Sequence, residues 1–215
     1  MELKFKRFGG EHIEDIIEYL KLYIQERPNI TIAVGCDSIQ KRRTTIYAIT
    51  IMLYDIDIKN GAHVLFYRKR EPKIRDNNER LYGEAKHLYE VGTYLDKELS
   101  EFYTRGDLSL KEHKRYKYHL LRCNGEYDYI DKHREEAFID RLNLVDSDKN
   151  GFKLVDLHVD FNPMEERFSR GHTAKNKSFS AYKSYVPWLR GLGFRVWAKP
   201  NAPASSGAAD LLLKS

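Results

Sequence analysis

Three strand-like stretches joined by short connections, with a long amphipathic segment after them, leave this chain few topologies. Residues 30–37 are apolar almost throughout, ending Val34-Gly35-Cys36-Asp37. Residues 44–54 are β-branched and aromatic, and residues 62–68 repeat that character after Asn60-Gly61, a strong hairpin signal. Strands joined so tightly pair antiparallel, whereas any later strand parallel to them needs a long crossover. The next segment supplies one. Leu81, Ala85, Leu88, Val91, Leu95, Leu99 and Phe102 recur at helical spacing, so a helix is expected over about 75–103.

Further elements follow from the same periodicities. Ile13, Ile16, Ile17, Leu20 and Ile24 predict a leading helix over 11–26, which Pro28 stops. Beyond it and the long helix, the chain reads as a strand at 153–161, a polar loop at 162–176, a helix at about 178–191, a strand at 194–198 and a short helix from about 204. Pro187 either kinks the penultimate helix or marks its start. Residues 104–150 lack a sustained apolar pattern and read as a helical insertion, with a helix at about 132–142, inside a single domain spanning 1–215. The expected fold class is α/β: a mixed five-stranded sheet of three antiparallel strands plus two parallel crossovers, flanked by helices. Right-handed crossovers set 153–161 beside 30–37, which brings Asp37 next to Asp160.

Four acids then stand out by position. Asp37 closes an apolar run, Glu84 falls on the apolar stripe of the long helix, and Asp160 ends Leu157-His158-Val159. Asp210 follows Ser206-Gly207-Ala208-Ala209 and precedes Leu211-Leu212-Leu213. Burying one unpaired carboxylate costs several kcal/mol. Four at element ends or on core faces call for a shared counter-ion, and a pair of divalent metals is the natural one. Singly they have plainer readings: Asp37 as a strand-end turn residue, Asp210 as a helix-terminal acid, Glu84 as a solvated flank of its stripe.

Composition bounds the rest. Lys and Arg number 37 against 32 Asp and Glu, a net charge of +5 that permits a polyanionic partner. The 15 Tyr and 10 Phe offer rings for stacking on bases, although core and sheet positions account for most such residues. Two cysteines, Cys36 and Cys123, make neither a disulfide framework nor a four-thiolate zinc site, and Cys36 reads as a small buried hydrophobe. No apolar run reaches the ~20 residues that span a bilayer, and the first residues lack the core of a secretion signal. A soluble, cytoplasmic protein with no membrane partner is expected.

With Gly35-Cys36-Asp37-Ser38 and Gln40 on the first strand, the chain resembles the ribonuclease H-like superfamily, and more closely the YkuK-type ribonuclease H-like family of bacterial and phage proteins. The matching pieces also include the leading helix, Glu84, Leu157-His158-Val159-Asp160, Gly191-Leu192-Gly193-Phe194, Lys199-Pro200, and Ala204-Ser205-Ser206 followed by Ala209-Asp210. Residues 104–150 and Cys36 depart from the family pattern. The resemblance implies a hydrolase: a nuclease cleaving the phosphodiester bonds of RNA, DNA or a hybrid with two Mg²⁺ or Mn²⁺ ions held by Asp37, Glu84, Asp160 and Asp210. Asp37 is expected to bridge the ions, Asp160 and Asp210 to support one each, and Glu84 to hold the attacking water or an ion. The alternatives are a catalytically silent nucleic-acid-binding module of the same fold and a phosphoesterase acting on small nucleotides.

Basic residues fit a nucleic-acid partner, though loop cations also serve solubility alone. Arg42 and Arg43 lie at the first hairpin, Arg170 and Lys175 in the loop after Asp160, and Lys199 after the last strand. His172 is either a proton shuttle to the leaving group or a surface histidine. Asp146-Ser147-Asp148 imitates a calcium loop, but its twelfth position is Leu157 where a bidentate Glu is needed. Neither a Gly-rich phosphate loop nor a nucleophile–histidine arrangement is recognisable.

Overall fold

A computed structural model describes residues 4–27, 30–55, 62–103, 153–164, 166–169, 172–199 and 202–214. The Asn60-Gly61 turn, the insertion at 104–150 with its helix and calcium-like loop, and Arg170 lie outside the described residues. Among the described residues the strands are β1 (Lys6–Arg7), β2 (Ile30–Lys41), β3 (Thr44–Asp55), β4 (Ala62–Pro72), β5 (Val155–Val159), β6 (Glu166–Ser169), β7 (His172–Lys175) and β8 (Val196–Ala198). The helices are α1 (Ile16–Glu26), α2 (Asn77–Tyr103), α3 (Phe179–Gly191) and α4 (Asp210–Lys214), with a π-helical segment, Pro203–Ala209, running directly into α4.

The main sheet has the order β1-β4-β3-β2-β5-β8. Strands β2, β3 and β4 form the expected antiparallel meander, and β5 and β8 add in parallel through α2 and α3. The sheet is six-stranded rather than five-stranded, because β1 pairs with Phe66 and Leu65 at its edge. A two-residue strand leaves no alternation to detect, so it escapes pattern reading. The loop expected at 162–176 contains the β6–β7 hairpin. The leading helix starts at Ile16 rather than residue 11, since Asp15 caps it by accepting from the Ile17 and Glu18 amides at 2.8 and 3.0 Å. Residues before the cap are held instead by the Ile13 amide donating to the Phe5 carbonyl. Pro187 sits inside α3, so it does not mark the start.

Strand β2 is covered on both faces, which explains its unbroken apolar run. Ile30, Ile32, Val34 and Cys36 face the main core with α1, α2 and α3. Ala33, on the opposite face, packs with Met52 and Ala204. The π segment lies so close to β2 that a Cβ on Gly35 would stand 2.2 Å from the Ala204 carbonyl carbon. Only glycine admits that approach. Thr50 Oγ1 donates to the Ala204 carbonyl at 2.7 Å, and His158 Nδ1 accepts the Ala204 amide at 3.1 Å. The run of small residues before Asp210 is therefore a docking strip, and α4 continues it with Leu212 and Leu213 packed on Ala48 and Phe66.

Candidate carboxylate site

Strand pairing builds the first half of the site. Cys36 pairs with Val159 in the parallel β2–β5 ladder, so the next residues, Asp37 and Asp160, emerge side by side as β5 ends. Strand β2 continues to Lys41, so Asp37 lies within the strand rather than closing it. Alternation sends Ser38 toward α2 and Asp37 toward the face carrying the π segment. From α2, Glu84 is only 1% exposed, on the apolar stripe as expected. Its Oε1 accepts the Ser38 hydroxyl at 2.5 Å and Arg80 Nη1 at 2.9 Å. Arg80 also donates to the Ser38 carbonyl at 3.0 Å and to Asn77 Oδ1 at 2.9 Å. Asp210 opens α4, where Lys214 reaches back to it at 2.5 Å.

Electrostatics join the four acids. Burial, and then the Asp160 charge, push the Asp37 carboxyl up to about 6, with Asp210 adding to the rise and the Ser38 amide, donating at 2.7 Å, opposing it. Glu84 is held well above the ordinary carboxylate range by burial and then by Asp37. Asp160 is raised by burial against the pull of Lys199, whose Nζ sits 2.8 Å from Asp160 Oδ2. Like charges crowded in a poorly solvated place resist ionisation together. The Cys36 thiol beside them is also pushed up, chiefly by its complete burial, and is the inert hydrophobe expected.

Two oxygens remain without a partner. Glu84 Oε2 and Asp160 Oδ1 are buried and accept no hydrogen bond. Buried carboxylate oxygens are rarely left so, and each is an acceptor waiting for a cation or donor. Oxygen-only groups such as these and the carboxylates of Asp37 and Asp210 are of the kind that suits Mg²⁺ or Mn²⁺. As placed, however, no three His, Cys, Asp or Glu side chains among the described residues converge on one metal-binding point. Arg80, Lys199 and Lys214 each pair with one of the acids.

The remaining expected residues divide. Arg42 and Arg43 form the two-residue turn between β2 and β3, with Arg42 at a φ of 51°, and border a cavity of about 1040 Å³ with Lys41 and Arg70. Lys199 is at the site, although as an ion-pair partner of Asp160. His172 and Lys175 are the first and last residues of β7, which pairs with β6 in a separate two-stranded sheet. Sequence reasoning missed Arg80, Lys214 and His158. The spacing of Arg80 to Glu84 and of Asp210 to Lys214, one helical turn each, was the available signal. His158 is fully buried, and burial lowers its ring pKa to about 4, which leaves it neutral and able to accept the Ala204 amide.

Residues 11–115 match the family model described as Ribonuclease H-like. That stretch carries Asp37 and Glu84, while Asp160 and Asp210 join them through the parallel ladder and the docked tail. The chain has no significant match among curated proteins or among solved structures. That match spans slightly less than half of the chain, and the mixed sheet is consistent with a ribonuclease H-like fold, a fold of nucleases and nucleic-acid-binding proteins.

Proposed function

We propose that this protein is a metal-dependent nuclease that hydrolyses phosphodiester bonds in RNA, DNA or a hybrid, using Asp37, Glu84, Asp160 and Asp210 to hold two Mg²⁺ or Mn²⁺ ions. The observation that carries it is a group of three carboxylates raised by burial and then by neighbouring acids, two of which keep an unpartnered oxygen. Bound divalent ions would lower the pKa of a water and offset charge on the leaving oxygen. Arg80 and Ser38 fix Glu84 from behind, so its free oxygen has one direction in which to act. Lys199, already at the mouth of the acid cluster, is positioned to meet a phosphate beside the scissile one. Arg42 and Arg43, with Lys41 and Arg70, supply a basic border along which a phosphate backbone can run.

A second reading, a catalytically silent nucleic-acid-binding module, draws on the cations that each engage one acid. Cleavage of labelled RNA, DNA and hybrid in Mg²⁺ and Mn²⁺, by the native chain and by Asp37→Asn, separates the two. Metal-dependent cleavage that Asp37→Asn abolishes, with binding retained, supports the nuclease. Binding without any metal-dependent cleavage supports the silent module.

A further inference from the structure

The edge of the sheet holds a second basic cavity that the carboxylate chemistry does not use. Its volume is about 800 Å³, and Lys4, Lys6, Phe8, His12, Phe66 and Arg68 border it. Among the described residues no Asp or Glu lines it. The one acid of the adjoining loop, Glu11, is engaged by Arg7 at 2.8 Å. Alternation along the first strand explains the composition. Phe5 turns into the core, where it meets Tyr67 edge-on, and Arg7 lies over the Tyr19 ring, so Lys4, Lys6 and Phe8 share the other side.

Three observations say what fits there. Phe8 is 50% exposed and stands 5.7 Å from Phe66, so the cavity has an accessible aromatic wall. Lys4, Lys6 and Arg68 supply its cations. Leu211 and Leu212, which follow Asp210 directly, form its remaining wall, and Phe66 belongs to the cluster packed under α4. The cavity therefore opens on the same sheet face as Asp37 and adjoins the acid cluster. Cations beside an exposed ring make a platform for unpaired nucleotides, where a base stacks and its phosphates are neutralised. A duplex offers only the outer faces of its terminal base pairs, so it gains little from the ring compared with an unpaired strand.

Resting on the nuclease reading above, we infer that this cavity is a subsite for a single-stranded segment of the nucleic acid, flanking the bond to be cut, with Phe8 as the stacking residue and Lys4 and Lys6 on the phosphates. The test measures fluorescence anisotropy of a labelled 12-nucleotide oligothymidylate and of a blunt duplex with the full chain in EDTA across a salt series. Phe8→Ala should weaken oligothymidylate binding about tenfold and leave the duplex unaffected. Lys4→Gln with Lys6→Gln should flatten the slope of log affinity against log salt by about 0.7 for each phosphate that is no longer neutralised. Circular dichroism establishes that each variant is folded; Phe8 is exposed and Lys6→Gln alone provides an independent reading. Folded variants that bind both probes as the native chain does, or lose both equally, overturn the subsite. So does a native dimer that Phe8→Ala converts to monomer without a change in binding, which would assign the ring to a second copy of the chain. Metal-dependent cleavage is scored separately with Asp37→Asn. Loss of the nuclease reading with Phe8-dependent binding intact keeps the cavity as a single-strand site and removes only its place beside a scissile bond, and the reverse result removes the subsite alone.

Discussion

Asp156 near the start of β5 and Asp160 just past its end are both carboxylates on one central strand, yet they are treated in opposite ways. Asp156 is 1% exposed and fully served: Arg195 Nε donates to one oxygen at 2.5 Å and Trp197 Nε1 to the other at 3.0 Å. Asp160 has a lysine on one oxygen and nothing on the other, with a second acid beside it across the ladder. One end of the strand closes its electrostatics, and the other leaves them open. A buried acid is therefore not a site by virtue of burial. What separates the two is unmet valence, and at the open end the chain accepts a cost that it avoids at the closed one.

The largest expected effect tests that difference directly. Asp156→Ala strands the Arg195 charge and should cost about 3–5 kcal/mol of stability, read as a lower midpoint in denaturant, without changing Mn²⁺ affinity measured calorimetrically. Asp160→Asn should do the reverse, sparing stability and removing Mn²⁺ binding. An equal loss of stability in both variants would erase the contrast.

Next in size is the charge strain at Asp37. Its folded pKa of about 6 lies above the ordinary 3.8, so the folded state holds its proton more tightly than the unfolded one. That contribution to stability is intact below pH 4 and is lost as pH rises through 6. Asp37→Asn should therefore match the native chain at pH 4, gain on it between pH 4 and 6, and exceed it by about 2–3 kcal/mol above pH 7 in the absence of metal. Urea titrations at stepped pH give the curve; a gap that closes rather than opens with rising pH contradicts the buried, crowded carboxylate.

Metal should act on the same slope. Protons and cations compete for these oxygens, so Mn²⁺ is expected to raise the melting temperature more at pH 7.5 than at pH 5.5. Thermal scans of Asp156→Asn should keep that pH dependence, and those of Asp160→Asn should lose it. The smallest effect is expected at Arg42, an exposed turn residue. Arg42→Gln should lower the salt dependence of duplex binding by about one phosphate's share and leave both stability and metal affinity alone.

Much of this architecture was legible because hydrophobic period is a strong signal. The meander, the α2 stripe with Glu84 on it, and the parallel placement of β5 against β2 all follow from spacing and crossover handedness. The edge strand and the β6–β7 hairpin were not legible, since two or four residues carry too few alternations. Within the site, carboxylates at element ends could be noticed singly, and Arg80 and Lys214 carried a one-turn spacing to their acids, but nothing in Lys199 announces that it folds onto Asp160. Gln40 is a different case. It belongs to the motif on the first strand, and its amide fastens that strand to the Ile74 carbonyl at 2.5 Å ahead of α2, a brace rather than a reactive group.

The π segment before α4 has a further consequence. A π turn is an α turn with one surplus residue, and here its backbone is pinned at Ala204 by Thr50 and His158 while Asp210 rides at its far end. Deleting a single alanine from 203–209 with the pitch unchanged would swing Asp210 by about 100° around the axis, a rotation that only a change from π to α coiling could take up. The number of residues in that strip, more than their identity, sets the compass bearing of the last carboxylate.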